Sequence, residues 1–148
     1  MSDANKLAEL VAMQKLREQR CQSDVTSAAK TSSEKAAEAT RLDALSHAAG
    51  KALDGVFASP LLCPDRMLLA AGHLAIAEDN QATGKAELES AEQTERLARS
   101  GWQQATHNTR NLMHRHRQQK RTEERRADDA RQADQLSLRA ALSKGPKA

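Results

Sequence analysis

Proline occurs at only three positions, 60, 64 and 146, and two of these lie within ASPLLCPDR, residues 58–66. A proline pushes the residue before it out of the helical region. Pro64 suits the first position of a following helix, and Asp65 then sits near the positive end of its dipole. A turn is therefore predicted over residues 58–64, between a first helix at about 3–57 and a second at about 65–143. Within those stretches Gly50 and Gly55 weaken the helix without breaking it, and Gly145-Pro146 ends the second, leaving residues 144–148 as a tail. Ala, Glu, Gln, Arg, Lys and Leu fill the long runs, and these are the strong helix formers.

The composition opposes a globular core. The chain has 148 residues but one Trp, one Phe and no Tyr, with 29% charged residues and a mean hydropathy of -0.75. Alanine supplies much of the hydrophobic fraction, and it buries too little area to hold a compact domain at roughly 25 cal/mol per Å². Long helices paired along a narrow seam remain. Before the turn, Leu42, Leu45, Ala49, Ala52 and Val56 alternate steps of three and four. Extended backward, that register reaches Ala28, Cys21, Leu10 and Leu7 but also takes in Glu38, Lys35, Thr31, Asp24, Arg17 and Gln14. After the turn, the seam reads Met67, Ala70, Leu74, Ala77, Gln81, Gly84, Leu88, Ala91, Glu95, Ala98, Trp102, Ala105, Thr109 and Leu112. Beyond it the register takes in His116, Gln119, Glu123 and Arg126, and the apolar stripe fades. The expected fold is all-α: one elongated unit, a long antiparallel two-helix coiled-coil hairpin held by Leu42, Leu45, Leu88, Trp102, Ala105 and Leu112.

Length makes the hairpin asymmetric. At about 1.5 Å per residue the first helix spans roughly 80 Å and the second nearly 120 Å, so about 20 to 25 C-terminal residues, from about Arg121, lack a partner helix. A lone helix of that length is marginal in water and wants a binding groove. The charge lies unevenly as well: residues 101–148 hold 11 of the 23 Lys and Arg but only 5 of the 20 Asp and Glu. An acidic partner is expected there.

Several chemistries are disfavoured. His114 and His116 lie about 200° apart on a helix and cannot share one ion, and His107, His47 and His73 have no ligand set, so no metal site is expected. DNQATGKA, residues 79–86, departs from a phosphate loop at Asp79 and Ala86 and lies within a helical stretch. No cofactor is expected. Cys21 and Cys63 have no base arguable from sequence and lie too far apart along a hairpin for a disulfide, and a thin hairpin offers no water-excluding pocket. The chain reads as non-enzymatic. RHRQQKRTEERRADDAR could neutralise phosphates, yet acids interrupt it and no aromatics interleave, so nucleic acid is a minor alternative. Arg121 with Glu124 and Arg125 with Asp129 have the spacing of helix-face ion pairs. No run reaches the roughly 18 apolar residues of a membrane span, and the N-terminus lacks a secretory segment. A cytoplasmic location without membrane insertion is expected.

Length, the helix–Pro turn–longer helix order, WQQA at Trp102–Ala105, Leu112, the basic Gln-rich stretch and DARQADQLSLRAA at 129–141 together resemble the FliJ, YscO and HrpO group of flagellar and virulence type III secretion proteins. The resemblance implies a stalk like the gamma subunit of rotary ATP synthases, entering the hexameric export ATPase and reaching toward the cytoplasmic ring of the export gate. Some members of the group also handle secretion chaperones. It implies a location at the inner-membrane export apparatus. On that reading Arg115, Arg117, Lys120, Arg121, Arg125 and Arg126 form the ATPase-proximal basic face. Leu69, His73 and Ile76 correspond to the family's gate-facing stripe, although the family's aromatic is missing here and the same residues could instead pack on the first helix. The alternative functions are a coiled-coil chaperone or adaptor for secreted substrates and a basic nucleic-acid binder.

Overall fold

The computed structural model describes residues 2–145. The protein is all-α: α1 spans Asp3–Ala58, α2 spans Pro64–Ser143, and there is no strand among the described residues. Ser2 opens α1 as a cap, its Oγ accepting the Asn5 N–H at 3.3 Å and its carbonyl accepting the Asn5 and Lys6 N–H groups. Cys63 precedes α2, and its carbonyl accepts the Met67 N–H at 3.1 Å. Pro64 and Asp65 then occupy the first turn, where a missing N–H and a negative charge are both favourable. At the far end Lys144 is a turn residue; Pro146, the expected terminator, lies outside the described residues.

The chain divides into two compact units. One, Arg20–Trp102, contains the turn and is an antiparallel hairpin. In it Lys35 Nζ meets Glu87 Oε2 at 2.8 Å, and the Gln81 amide donates to the Asp43 carboxylate. The other joins α1 up to Gln19 with α2 from Gln103 onward, again antiparallel. Its cross-helix bonds run from the Ala4 N–H to Glu123 Oε1 (3.3 Å), from Gln14 Nε2 to the Ala105 carbonyl (3.5 Å) and from Thr106 Oγ1 to Glu18 Oε1 (3.1 Å).

Burial follows a heptad on both helices, with Ala29, Glu38, Gly50, Glu92, Thr106 and Met113 half-buried beside it. In α2 the expected seam positions from Met67 through Glu123 are all buried or half-buried. In α1 the structure corrects half of the expected seam. Leu7, Gln14, Cys21, Ala28, Lys35, Leu42, Ala49 and Val56 face α2, but the intervening positions lie one residue later, at Ala4, Val11, Glu18, Val25, Ser32, Ala39, Ser46 and Leu53. Leu10 and Leu45, expected in the seam, are instead 48% and 49% exposed. The reason is desolvation. Both sets contain Lys35; the expected set would add Arg17, Asp24 and Glu38 to it, whereas the observed set adds only Glu18, which accepts the Thr106 hydroxyl.

The seam is thin. Ala4, Val11, Ala91 and Ala105 form the buried hydrophobic core, with Ser32 and Thr109 as the buried polar residues. Small residues permit close approach: a Cβ added to Gly84 would stand 2.6 Å from Leu42 Cδ1, whereas one at Gly50 would meet nothing within 4 Å. Replacing Gly84 by valine is therefore expected to destabilise the protein by about 1–3 kcal/mol through overpacking. Gly50→Ala should stabilise it by about 1 kcal/mol through helix propensity alone. Urea unfolding followed by circular dichroism measures both, and the two variants should move the midpoint in opposite directions.

Candidate partner-binding surfaces

From Arg96 to Thr122 the sequence holds seven Lys and Arg and no Asp or Glu. Within the unit that contains residues 103 onward, helical spacing gathers Arg110, His114, Arg117, Arg121 and Arg125 on one exposed face of α2, away from the seam. Among the described residues no ion pair reaches these arginines, although Glu124 and Asp128 stand exposed on the same face toward its C-terminal end. Glu18 accepts the Thr106 hydroxyl, Glu123 accepts the Ala4 N–H and the Gln119 amide (3.4 Å), and Asp3 pairs with Lys6 at 3.7 Å. Of the basic residues singled out from sequence, Arg117, Arg121 and Arg125 share this outer face. Arg115 and Lys120 are exposed beside opposite edges of the seam, and Arg126 continues the seam register past its last covered position. Arg110 was missed, although its spacing of four and seven to His114 and Arg117 signals it. His116 is half-buried in the seam and His114 is exposed, so the two diverge. Among the described residues no group of three or more His, Cys, Asp and Glu could hold a metal ion.

Among the described residues nothing covers α2 past Glu123. Every described residue from 124 to 145 is exposed, including Leu136, Leu138 and Leu142 at 65%, 62% and 79%. Among the described residues, the ion pair here joins Arg131 to Asp128 at 3.5 Å, in place of the Arg121–Glu124 and Arg125–Asp129 pairs that spacing suggests. An exposed pair of this kind contributes only a few tenths of a kcal/mol. This segment keeps its backbone hydrogen bonds but lacks the tertiary packing from which helices in proteins draw most of their stability.

Near the turn, Leu69, His73 and Ile76 lie on one side of the hairpin unit, lining grooves with Leu42, Leu45 and the alanines of α1. Of the expected packing residues in the two units, Ala105 is buried, while Leu42, Leu88, Trp102 and Leu112 are half-buried. The Trp102 indole Nε1 is buried without a hydrogen-bond partner.

Five groups in the hairpin unit have altered acidity, Lys35, Glu38, Arg41, Cys63 and Glu95. The Arg99 guanidinium, and secondarily the Ser32 hydroxyl across the seam, hold the Glu95 carboxyl below the usual carboxylate range. Such a group contributes stability above that range and loses it as pH falls through the lowered value. Glu95→Gln should accordingly lose less of its thermal stability than the parent on acidification, as melting curves recorded from pH 6 down through the carboxylate range would show. The exposed Cys63 thiol accepts N–H groups of Arg66 and Asp65 at the start of α2, which hold it below the ordinary thiol range. Iodoacetamide at neutral pH is expected to modify Cys63 well before the half-buried Cys21, as mass spectrometry of the peptides would report. Both cysteines are free.

Comparison with family models, with curated proteins and with solved structures found no match to this chain. Among the described residues no helix is long and apolar enough to cross a membrane.

Proposed function

We propose that this protein is a non-enzymatic stalk of a type III secretion or flagellar export ATPase complex, coupling a hexameric ATPase to the membrane export gate from the cytoplasmic side. The observation that carries the reading is the uncovered end of α2: residues 124–143 form a helix with no partner from α1, continuous with an outer face bearing Arg110, Arg117, Arg121 and Arg125. A helix of that kind is stabilised by entering a groove, and a basic face favours one lined by acidic or polar groups. The sequence resemblance to the FliJ, YscO and HrpO group supplies the identity of the groove, the centre of the export ATPase ring. On the same reading Leu69, His73 and Ile76 are offered to the cytoplasmic ring of the gate.

The direct test mixes the purified chain with a hexameric export ATPase from the same organism and measures binding and hydrolysis. The full chain is expected to bind and to raise the hydrolysis rate, and truncation after Glu123 to abolish both while leaving the helical seam folded. Charge reversal at Arg117 and Arg121 should weaken binding most at low salt, because exposed charges are screened within about 8–10 Å at physiological ionic strength. A full chain that neither binds nor stimulates would remove the proposal. The exposed grooves beside the turn favour a second reading, a coiled-coil adaptor for secreted substrates or their chaperones, which predicts tight substrate complexes without any response from the ATPase.

A further inference from the structure

Thirteen residues of α2 between 103 and 122 are exposed, and every one carries a hydrogen-bond donor: five are Arg or Lys, two are His, five are Asn or Gln and one is Thr. None is a carboxylate and none is a large hydrophobic. A protein partner that packs on a surface draws its affinity from aromatic and aliphatic anchors, and a helix that lies in a bilayer interface needs an apolar face. This surface offers neither. What it does match is an array of acceptors, and phosphate oxygens are bound by Arg, Lys, Thr, Asn and Gln side chains. The carboxylates that interrupt the basic run in the sequence begin at Glu123. In the structure Glu123 turns to the seam, accepting the Ala4 N–H and the Gln119 amide, so the donor surface before it is continuous and ends at Glu124.

The donors also wrap the helix. Within the unit that joins the start of α1 to α2 from Gln103 onward, α1 covers only the seam side of this segment. Arg115 and Lys120 stand at the two edges of the seam, His114 and Arg121 lie opposite it, and Arg110 and Arg117 lie between those and Lys120. At heptad spacing this series covers about 200° of the helix circumference. A planar membrane touches one side of a helix, so it would leave part of the series unused. The major groove of B-form DNA, about 12 Å wide and 8.5 Å deep, admits a whole α-helix and meets it with phosphates on both walls and base acceptors on the floor.

We infer that residues 103–122 of α2 form a binding surface for duplex DNA, with α2 in the major groove and α1 behind it. Arg115 and Lys120, at the seam edges, reach the phosphates of the two walls. Arg117 and Arg121 face the floor, where a guanidinium pairs with the O6 and N7 acceptors of guanine. The duplex is selected over a single strand because stacking needs exposed aromatic rings, and Trp102, beside the segment, is only half-buried in the seam while no other aromatic residue follows it. A-form RNA is disfavoured because its major groove is too narrow for side chains to read. DNA binding at this surface is independent of the proposed function, and the duplex would compete with an acidic groove for Arg110, Arg117 and Arg121.

Fluorescence anisotropy of the full chain with a labelled, mixed-sequence DNA duplex tests it. Binding with a Kd of about 10⁻⁶ M or tighter is expected at about 50 mM salt, weakening about 10²- to 10³-fold at about 200 mM as five cations displace counterions. Arg117→Gln with Arg121→Gln should keep the helical content seen by circular dichroism and lower the slope of log K against log salt by about 2. Arg139→Gln, on the exposed segment beyond the donor surface, should bind as the parent does. A parent chain that leaves the duplex unbound at about 100 μM protein and low salt would overturn the inference. So would a double variant that keeps the parent's salt slope. Tighter binding to single-stranded DNA of the same length, or to vesicles of phosphatidylcholine and phosphatidylserine, would overturn it in favour of that ligand.

Discussion

The seam between α1 and α2 is the constraint on which the rest of the molecule depends. Its layers are built from alanine, glycine, serine and threonine as much as from leucine and valine, so the helices come close but remove little apolar area from water. Polar seam residues then matter for specificity. Lys35 with Glu87, Asp43 with Gln81 and Ser32 with Glu95 are made only in one register; the first two pairs are exposed, whereas a slip would leave the buried Ser32 hydroxyl without its partner. The leucine of one helix over the glycine of the other, Leu42 against Gly84, sets the spacing where those polar pairs occur. A fold held this lightly leaves many large side chains outside its own packing.

That arrangement explains where the molecule has surface to offer. In the unit that joins the start of α1 to α2 from Gln103 onward, Glu18 and Glu123 are drawn into contacts across or along the seam, so the outer face of α2 from Arg110 to Arg121 carries basic residues without an acid among them. Once the cover from α1 runs out beyond Glu123, the helix continues on its own hydrogen bonds and on weak ion pairs such as Arg131 with Asp128. In the hairpin unit the grooves near the turn show the reverse: Arg66 is the one formal charge in their lining, and leucines and isoleucine stand beside the seam. One surface favours an acidic or polar groove and the other is apolar, and both follow from a seam too narrow to absorb the apolar and charged residues that flank it.

Much of this was legible. The two prolines of ASPLLCPDR placed the turn because the backbone cannot continue a helix through them, and the α2 seam could be counted residue by residue from Met67 to Glu123. In α1 the count went astray because Leu42 and Leu45 dominate the last turns, where either a step of three or a step of four gives an apolar neighbour. Charge, summed along the whole helix, carried the missing signal: Arg17 and Asp24 fall on the exposed stripe, and Glu38 at its edge is only half-buried. Arg110 was passed over for a related reason. The dense basic cluster after His114 belongs to a longer stretch, residues 96–122, whose distinguishing property is the absence of carboxylates.

The sequence by itself determined that this chain is helical, that it turns once, and that the second helix outlasts the first, because helix propensity, proline sterics and rise per residue are local properties. Only the tertiary structure decided which flank of α1 meets α2. Two stripes with the same spacing of three and four compete for that place, and the choice between them lies in what each would bury against residues 38 to 119 positions away along the chain. By that choice Leu45 became surface, joining Leu69, His73 and Ile76 in a patch that no count along one helix reveals, since its members come from both.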